Sequence, residues 1–165
     1  MKKDLDFVPT PKKAAELIIA FAAIKPQEAV LEPSAGEGHL AKAIRDQGHN
    51  VVCGELDVEL AVKLRGEGFS VFCGDFLSSK KQDFPPFQHI IMTPPFGSGL
   101  YEAHVRHAYD LLDYGGVLVT LLPQDVAPDF KEWAIQKSVI PKNMPEGSFP
   151  ASKTNVSTLL WRIKK

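Results

Sequence analysis

Cysteine is nearly absent: Cys53 and Cys73 are the only two in 165 residues, and they do not form a Cys-x-x-Cys spacing. That excludes a disulfide framework and a thiolate zinc site, so both thiols are expected in buried strands. Long apolar runs are missing too. Nothing approaches the roughly 18 residues of a membrane span, and no apolar segment of signal length follows Met1-Lys2-Lys3-Asp4. The expectation is a soluble, cytoplasmic chain with no membrane partner. An excess of one charge is also lacking. With a formal net charge of −1, bulk charge alone would not hold nucleic acid. The lysines are nevertheless grouped, with Lys2, Lys3, Lys12 and Lys13 at the start, Lys80 and Lys81 in the middle, and Lys153, Lys164 and Lys165 near the end with Arg162. If these groups meet in space they make a basic rim; otherwise they are solvated surface residues.

What is present is ordinary globular material, 44% apolar and 24% charged, in a length that suggests one domain over 1–165. No internal repeat or low-complexity tract interrupts it. Thr10-Pro11 has the form of a helix start, a capping hydroxyl before a first-turn proline, and Leu17, Ile18, Phe21 and Ile24 supply the apolar face. Short apolar runs then alternate with helical periodicity. Strands are expected at 29–31, 51–54, 69–73, 89–92 and 117–122, the last ended by Pro123. Between them come helices around Leu40, Ala43 and Ile44, around Leu60, Ala61 and Leu64, and over 100–112, where His104, Ala108, Leu111 and Leu112 face inward. A helix at 129–138 is built around Phe130, Trp133 and Ile135, and a short strand is expected at Val139-Ile140. Alternation over 156–163 predicts an edge-region strand that pairs antiparallel. Strand and helix in this rhythm give an α/β, doubly wound parallel sheet.

Chemistry gathers at the strand tips, where open α/β sheets bind ligands. Glu32-Pro33-Ser34-Ala35-Gly36-Glu37-Gly38 is a small-residue loop whose backbone allows close approach, with a helix N-terminus behind it. Gly36-x-Gly38-x-x-Ala41 also fits the dinucleotide fingerprint, with Glu55 lying 19 residues beyond Gly36. Glu55 can take both hydroxyls of a ribose, and Asp57 suits a helix N-cap. Asp75 can accept from an exocyclic amine, or serve a turn, while Phe76 can lie against an adenine ring. At the fourth tip an apolar strand ends in Thr93-Pro94-Pro95-Phe96, a loop stiffened by two prolines. His104, His107 and Asp110 have helical spacing and read as ordinary helix residues. Ser34 lacks a Gly-x-Ser-x-Gly elbow, and Trp133 and Trp161 suit packing.

In this order the motifs Glu32 to Gly38, Glu55-Leu56-Asp57, Gly74-Asp75-Phe76 and Thr93-Pro94-Pro95-Phe96 resemble the class I S-adenosylmethionine-dependent methyltransferases, specifically the adenine-N6 DNA methyltransferase type. The lead-in Phe7-Val8-Pro9-Thr10-Pro11 is similar to that family's N-terminal cofactor motif. The resemblance covers residues 7 to 123. It implies a Rossmann-like methyltransferase fold, a mostly parallel seven-stranded sheet with an antiparallel last strand. It implies S-adenosylmethionine as cofactor, with Glu32 near the methionine amino group and Pro33, Ser34, Ala35, Gly36 and Gly38 lining the loop beneath it. Glu55 would bind the ribose, Asp75 and Phe76 would lie at the adenine, Leu56 would be a further cofactor-binding residue, and Thr10 would help close the site. Thr93, Pro94, Pro95 and Phe96 would grip a target base in DNA or RNA. No metal is implied.

The chain departs from the family pattern at Thr93, where Asn, Asp or Ser is usual. A threonine hydroxyl accepts, but β-branching restricts its rotamer and its reach is shorter. No insertion supplies a target-recognition domain, so a separate recognition subunit is a possible partner. Three other functions fit the residues less fully. They are methylation of a glutamine or asparagine amide in protein, a methyltransferase-like protein that binds without turnover, and a nicotinamide oxidoreductase.

Overall fold

Alternating apolar runs and amphipathic stretches build seven strands and five α-helices in the computed structural model, which describes residues 9–145, 147–149 and 158–165. Phe7, Val8, Lys2, Lys3, Lys153 and the predicted strand start at Val156 lie outside the described residues. In chain order the elements are α1 (Lys12–Ala22), β1 (Val30–Glu32), α2 (His39–Asp46), β2 (Val51–Glu55), α3 (Val58–Gly66), β3 (Ser70–Cys73) and β4 (His89–Met92). They are followed by α4 (Leu100–Leu111), β5 (Val117–Pro123), α5 (Pro128–Gln136), β6 (Ile140–Asn143) and β7 (Thr158–Lys164). The sheet runs β3-β2-β1-β4-β5-β7-β6, with β1 to β5 parallel and β7 antiparallel to both of its neighbours. This is the doubly wound sheet with an antiparallel last strand that the sequence led us to expect.

The last strand falls in the edge region and pairs antiparallel, as expected: β7 is one strand in from the edge, between β5 and β6, in register with β5 from Val117↔Lys164 to Pro123↔Thr158. Both of its faces are covered: Leu160 belongs to the cluster under α1, Trp161 and Ile163 to the cluster under α4 and α5. A strand buried on both faces belongs inside a sheet. The edge falls to β6, exposed along its length and blunted by Pro141, which has no N–H to offer another strand. Pro123 does not end β5 before itself; it is the last paired residue, opposite Thr158.

The helices follow the expected periodicity with three local differences. Helix α1 is capped by the backbone of Pro11, whose carbonyl accepts from the Ala15 amide, and the predicted Thr10 hydroxyl cap is not made. Its buried face is Ala14, Ala15, Ile18, Ile19 and Ala22, and Phe21 and Ile24 pack only partly. Small alanines let the helix lie close to the sheet, so the larger side chains move to the flanks. In α5, Phe130 and Ala134 are buried, whereas Ile135 is 61% exposed, because the helix is anchored by ring stacking of Phe130 on Trp133 and Trp161. The predicted loop between β3 and β4 contains two short 3-10 turns, Phe76–Ser78 and Lys81–Asp83. Cys53 is buried, as expected, and Cys73 only half-buried. Among the described residues no helix is long and apolar enough to cross a membrane.

Candidate functional site

The chain runs outward from β1 to β3 and then returns to place β4 against the other side of β1. Connections leaving β1 and β4 therefore diverge, and the crevice between them is where open α/β sheets take ligands. The Glu32–Gly38 loop and the Thr93–Phe96 loop border this crevice, with the tips of β2 and β3 beside the first.

Close backbone contact shapes the first tip. A Cβ on Gly54 of β2 would stand 2.9 Å from the Pro33 carbonyl oxygen and 3.0 Å from the Pro33 Cα, a separation only glycine tolerates. The Ala35 amide donates to the Gly54 carbonyl at 2.9 Å, locking the loop onto β2. Gly36 and Gly38 have φ of 55° and 78°, and a Cβ on Gly38 would collide with Leu64 of α3 at 2.6 Å. Gly54 is a site residue that the tip-by-tip reading missed. Its signal was present, a glycine inside an otherwise apolar strand.

Glu55 is the clasp of the site. It is buried, its Oε2 accepts from the Gly36 amide at 2.7 Å and its Oε1 from the Asp57 amide at 2.8 Å, so one carboxylate ties the first tip to the second. Each oxygen keeps a further lone pair for a hydroxyl. Asp57 caps α3 as predicted, accepting from the Glu59 and Leu60 amides. The Gly74 amide donates to the Glu55 carbonyl at 3.0 Å and brings the third tip into line.

Glu32 lies deepest. It is 2% exposed at the end of β1, and its Oε2 has no hydrogen-bond partner among the described residues. Burial holds its carboxyl well above the ordinary value of 4.5, and the nearby Glu55 pushes in the same direction against the Ala41 amide, which favours the charged form. Burial likewise lifts the neighbouring Cys53 thiol to about 12, with Glu32 and Glu55 adding to it and Arg45 opposing. Cys53 is therefore packing material rather than a nucleophile.

The third tip divides its roles differently from the expectation. Asp75 accepts from the Leu77 amide and the Ser78 hydroxyl, both at 3.0 Å, the turn role open to it in the sequence. Phe76, expected against an adenine ring, is 3% exposed, and its ring is packed edge-on to His107 at 4.9 Å and beside His104 at 5.7 Å. The exposed apolar surface at this edge is instead Leu56, 55% accessible. His107 Nε2 lies 3.2 Å from the Ser79 hydroxyl, which donates to the Phe76 carbonyl, so these histidines brace the turn. In the fourth loop Pro94 is buried, while Thr93, Pro95 and Phe96 are half-buried. Phe96 packs against both core clusters, which anchors the loop from below.

Thr10 is buried at the head of α1 and shares with His39 and Lys42 of α2 a cavity of about 410 Å³, which runs between those helices and also meets Asp46 and Gln47. The lysine groups partly meet. Lys81 pairs with Asp113 at 3.0 Å, and Lys165 donates to the Tyr109 and Asp110 carbonyls at the end of α4. That cluster sits by the start of β5, at the sheet edge opposite the crevice.

No family model matches the chain. Over 101 residues it is 32% identical to "Probable ribosomal RNA small subunit methyltransferase A" of Methanosarcina mazei, a match that takes in 57% of this chain and only 36% of that protein. The solved structure of the 23S rRNA methyltransferase ErmE superposes with a TM-score of 0.71 at 18% identity, covering 96% of this chain and 70% of that one. The glycopeptide N-methyltransferase MtfA complexed with S-adenosyl-L-methionine superposes with a TM-score of 0.67 at 14% identity, over 94% of each chain. The chain has the class I S-adenosylmethionine-dependent methyltransferase fold.

Proposed function

We propose that the crevice between β1 and β4 binds S-adenosylmethionine and that the chain transfers the methyl group to an exocyclic amine, adenine N6 of a nucleic acid. Glu32 carries this reading: a buried carboxyl with an unmatched oxygen directly beneath a glycine loop suits the methionine ammonium. The Pro33–Gly38 backbone would lie along the cofactor, Glu55 would use its remaining lone pairs on the ribose, and Leu56 and Asp75 would border the adenine, with Phe76 supporting them from the core. Thr10 would close the methionine side. RNA is preferred to DNA because two of the similar proteins are named as ribosomal RNA methyltransferases.

The cofactor supplies an electrophilic methyl group; what remains is orientation. An exocyclic amine is a poor nucleophile while its lone pair is delocalised into the ring. Acceptors on its two hydrogens favour the pyramidal form, with the lone pair turned towards the methyl. The Pro94 carbonyl would be one acceptor and the Thr93 hydroxyl the other, while Phe96 would stack on an extruded base. A separate subunit would supply target recognition.

Incubation with methyl-labelled cofactor and separate RNA, DNA and protein fractions tests the proposal. Label in RNA, recovered as N6-methyladenine, is the expected result; label in protein alone would transfer the reading to a glutamine or asparagine amide. Thr93 supports a second reading, a binding protein without turnover. If Thr93→Asn transfers label where the native chain does not, the second reading holds, and equal transfer by both rejects it.

A further inference from the structure

On the cofactor reading proposed above, Glu32 is the carboxyl that meets the charged end of the ligand. Two carboxyls stand at the tips of the adjacent strands β1 and β2, and they are solvated unequally. Glu55 receives two backbone amides, from Gly36 at 2.7 Å and Asp57 at 2.8 Å. Glu32 is 2% exposed and its Oε2 receives none. Among the described residues, the groups acting on Glu32 are Glu55 from β2 and the Ala41 amide from α2; Glu32, Glu55 and Arg45 of α2 act in turn on the Cys53 thiol of β2. Among the described residues no cation is paired with Glu32. An unmatched buried carboxylate next to a second carboxyl is costly, and a neutral carboxyl far less so.

We propose that Glu32 carries a proton until the ammonium of the amino-acid end of S-adenosylmethionine enters, and that binding expels this proton, so cofactor uptake is proton-coupled. The Glu32 O–H bond breaks, its proton passes to a base in solution, and the carboxylate pairs with the incoming ammonium; no bond of the ligand changes. The burial that raises this carboxyl above its ordinary range acts in the same sense. Two consequences follow. Affinity for a ligand bearing the ammonium climbs by up to about tenfold per pH unit while Glu32 is protonated, one proton being exchanged. An adenosine thioether without the amino-acid end binds with little pH dependence, because it has no need to displace the proton. Glu32 thus sorts adenosine ligands by their charged end.

Titration calorimetry on the full chain, in buffers of contrasting ionisation enthalpy, tests this with S-adenosylhomocysteine and 5′-methylthioadenosine. The expected result is release approaching one proton for the first compound and none for the second, with Glu32→Gln abolishing the release while retaining weakened binding. Binding of both compounds with equal proton exchange would overturn the coupling alone. Failure of S-adenosylhomocysteine to bind would overturn the cofactor reading and the coupling with it.

Discussion

At the scale of single residues, Gly54 and Glu32 set the geometry and the charge of the crevice. Alanine at position 54 would place a methyl group 2.9 Å from the Pro33 carbonyl, against backbone that has no rotamer to yield. Gly54→Ala is expected to destabilise the fold by ~1–3 kcal/mol and to weaken S-adenosylhomocysteine, readable by urea unfolding and by calorimetry on the same protein. Titration adds a second residue-scale prediction. His89 is 3% exposed, and its Nε2 is 2.7 Å from Glu28 Oε2. Burial nevertheless keeps its pKa below the ordinary 6.5, with Arg162 and His49 adding to the effect and Glu28 opposing it. The unfolded chain then binds more protons, so the His89 contribution is complete above pH 6.5 and is lost as pH falls through its lower folded value. Glu32 has the opposite sign. Its folded pKa is raised, so its contribution is complete below 4.5 and is lost as pH rises through the folded value. Unfolding free energies across pH should therefore show a weaker acid-side loss in His89→Gln. Glu32→Gln should be more stable than the native chain at neutral pH, and a less stable variant would contradict the buried-proton account.

The elements are held to the site by a few backbone bonds. Helix α3 begins where Asp57 accepts from the Glu59 and Leu60 amides, while the Asp57 amide itself donates to Glu55. Loss of that cap in Asp57→Ala should cost ~1 kcal/mol of stability by chemical denaturation. The Asp57 amide survives the substitution, so the variant should retain most of its cofactor affinity; a large loss would mean that the side chain touches the ligand. Beside the edge strand, β7 is fixed by Trp161, whose ring stacks on Phe130 at 5.1 Å. That stack joins α5 to the sheet, and it explains why Trp161 is core rather than a surface for bases.

For the whole molecule, the parallel order around β1 and β4 creates a crevice bordered by the loops that leave those strands. A ligand that joins the β1, β2 and β4 tips should stabilise the native state over the unfolded one. At a hundred times its dissociation constant S-adenosylhomocysteine would contribute about 2.7 kcal/mol, and for a chain of this size an upward shift of several degrees in melting temperature is expected. No shift at saturating ligand would count against the crevice as the binding place. The lysines around the end of α4 lie at the opposite edge, away from the crevice.

The sequence by itself determined the elements and where the acidic residues fall along them. Hydrophobic period and turn residues place β4 over His89–Met92 within the observed bounds, and the acids at 32, 55 and 75 stand at strand ends because a strand buried on both faces admits charge only where it emerges. Asp57 could be read as an N-cap because that role is local. Tertiary structure alone decided what depends on contacts between distant segments. It turned Phe76 into the core because His104 and His107 of α4 wait behind it, and it set β7 between β5 and β6 because both of its faces find partners. It required glycine at 54 because Pro33 crosses there, and it left one oxygen of Glu32 unmatched in the interior. Residue types and spacings carry propensity and period, whereas burial and the pairing of polar atoms arise only when the chain has closed on itself.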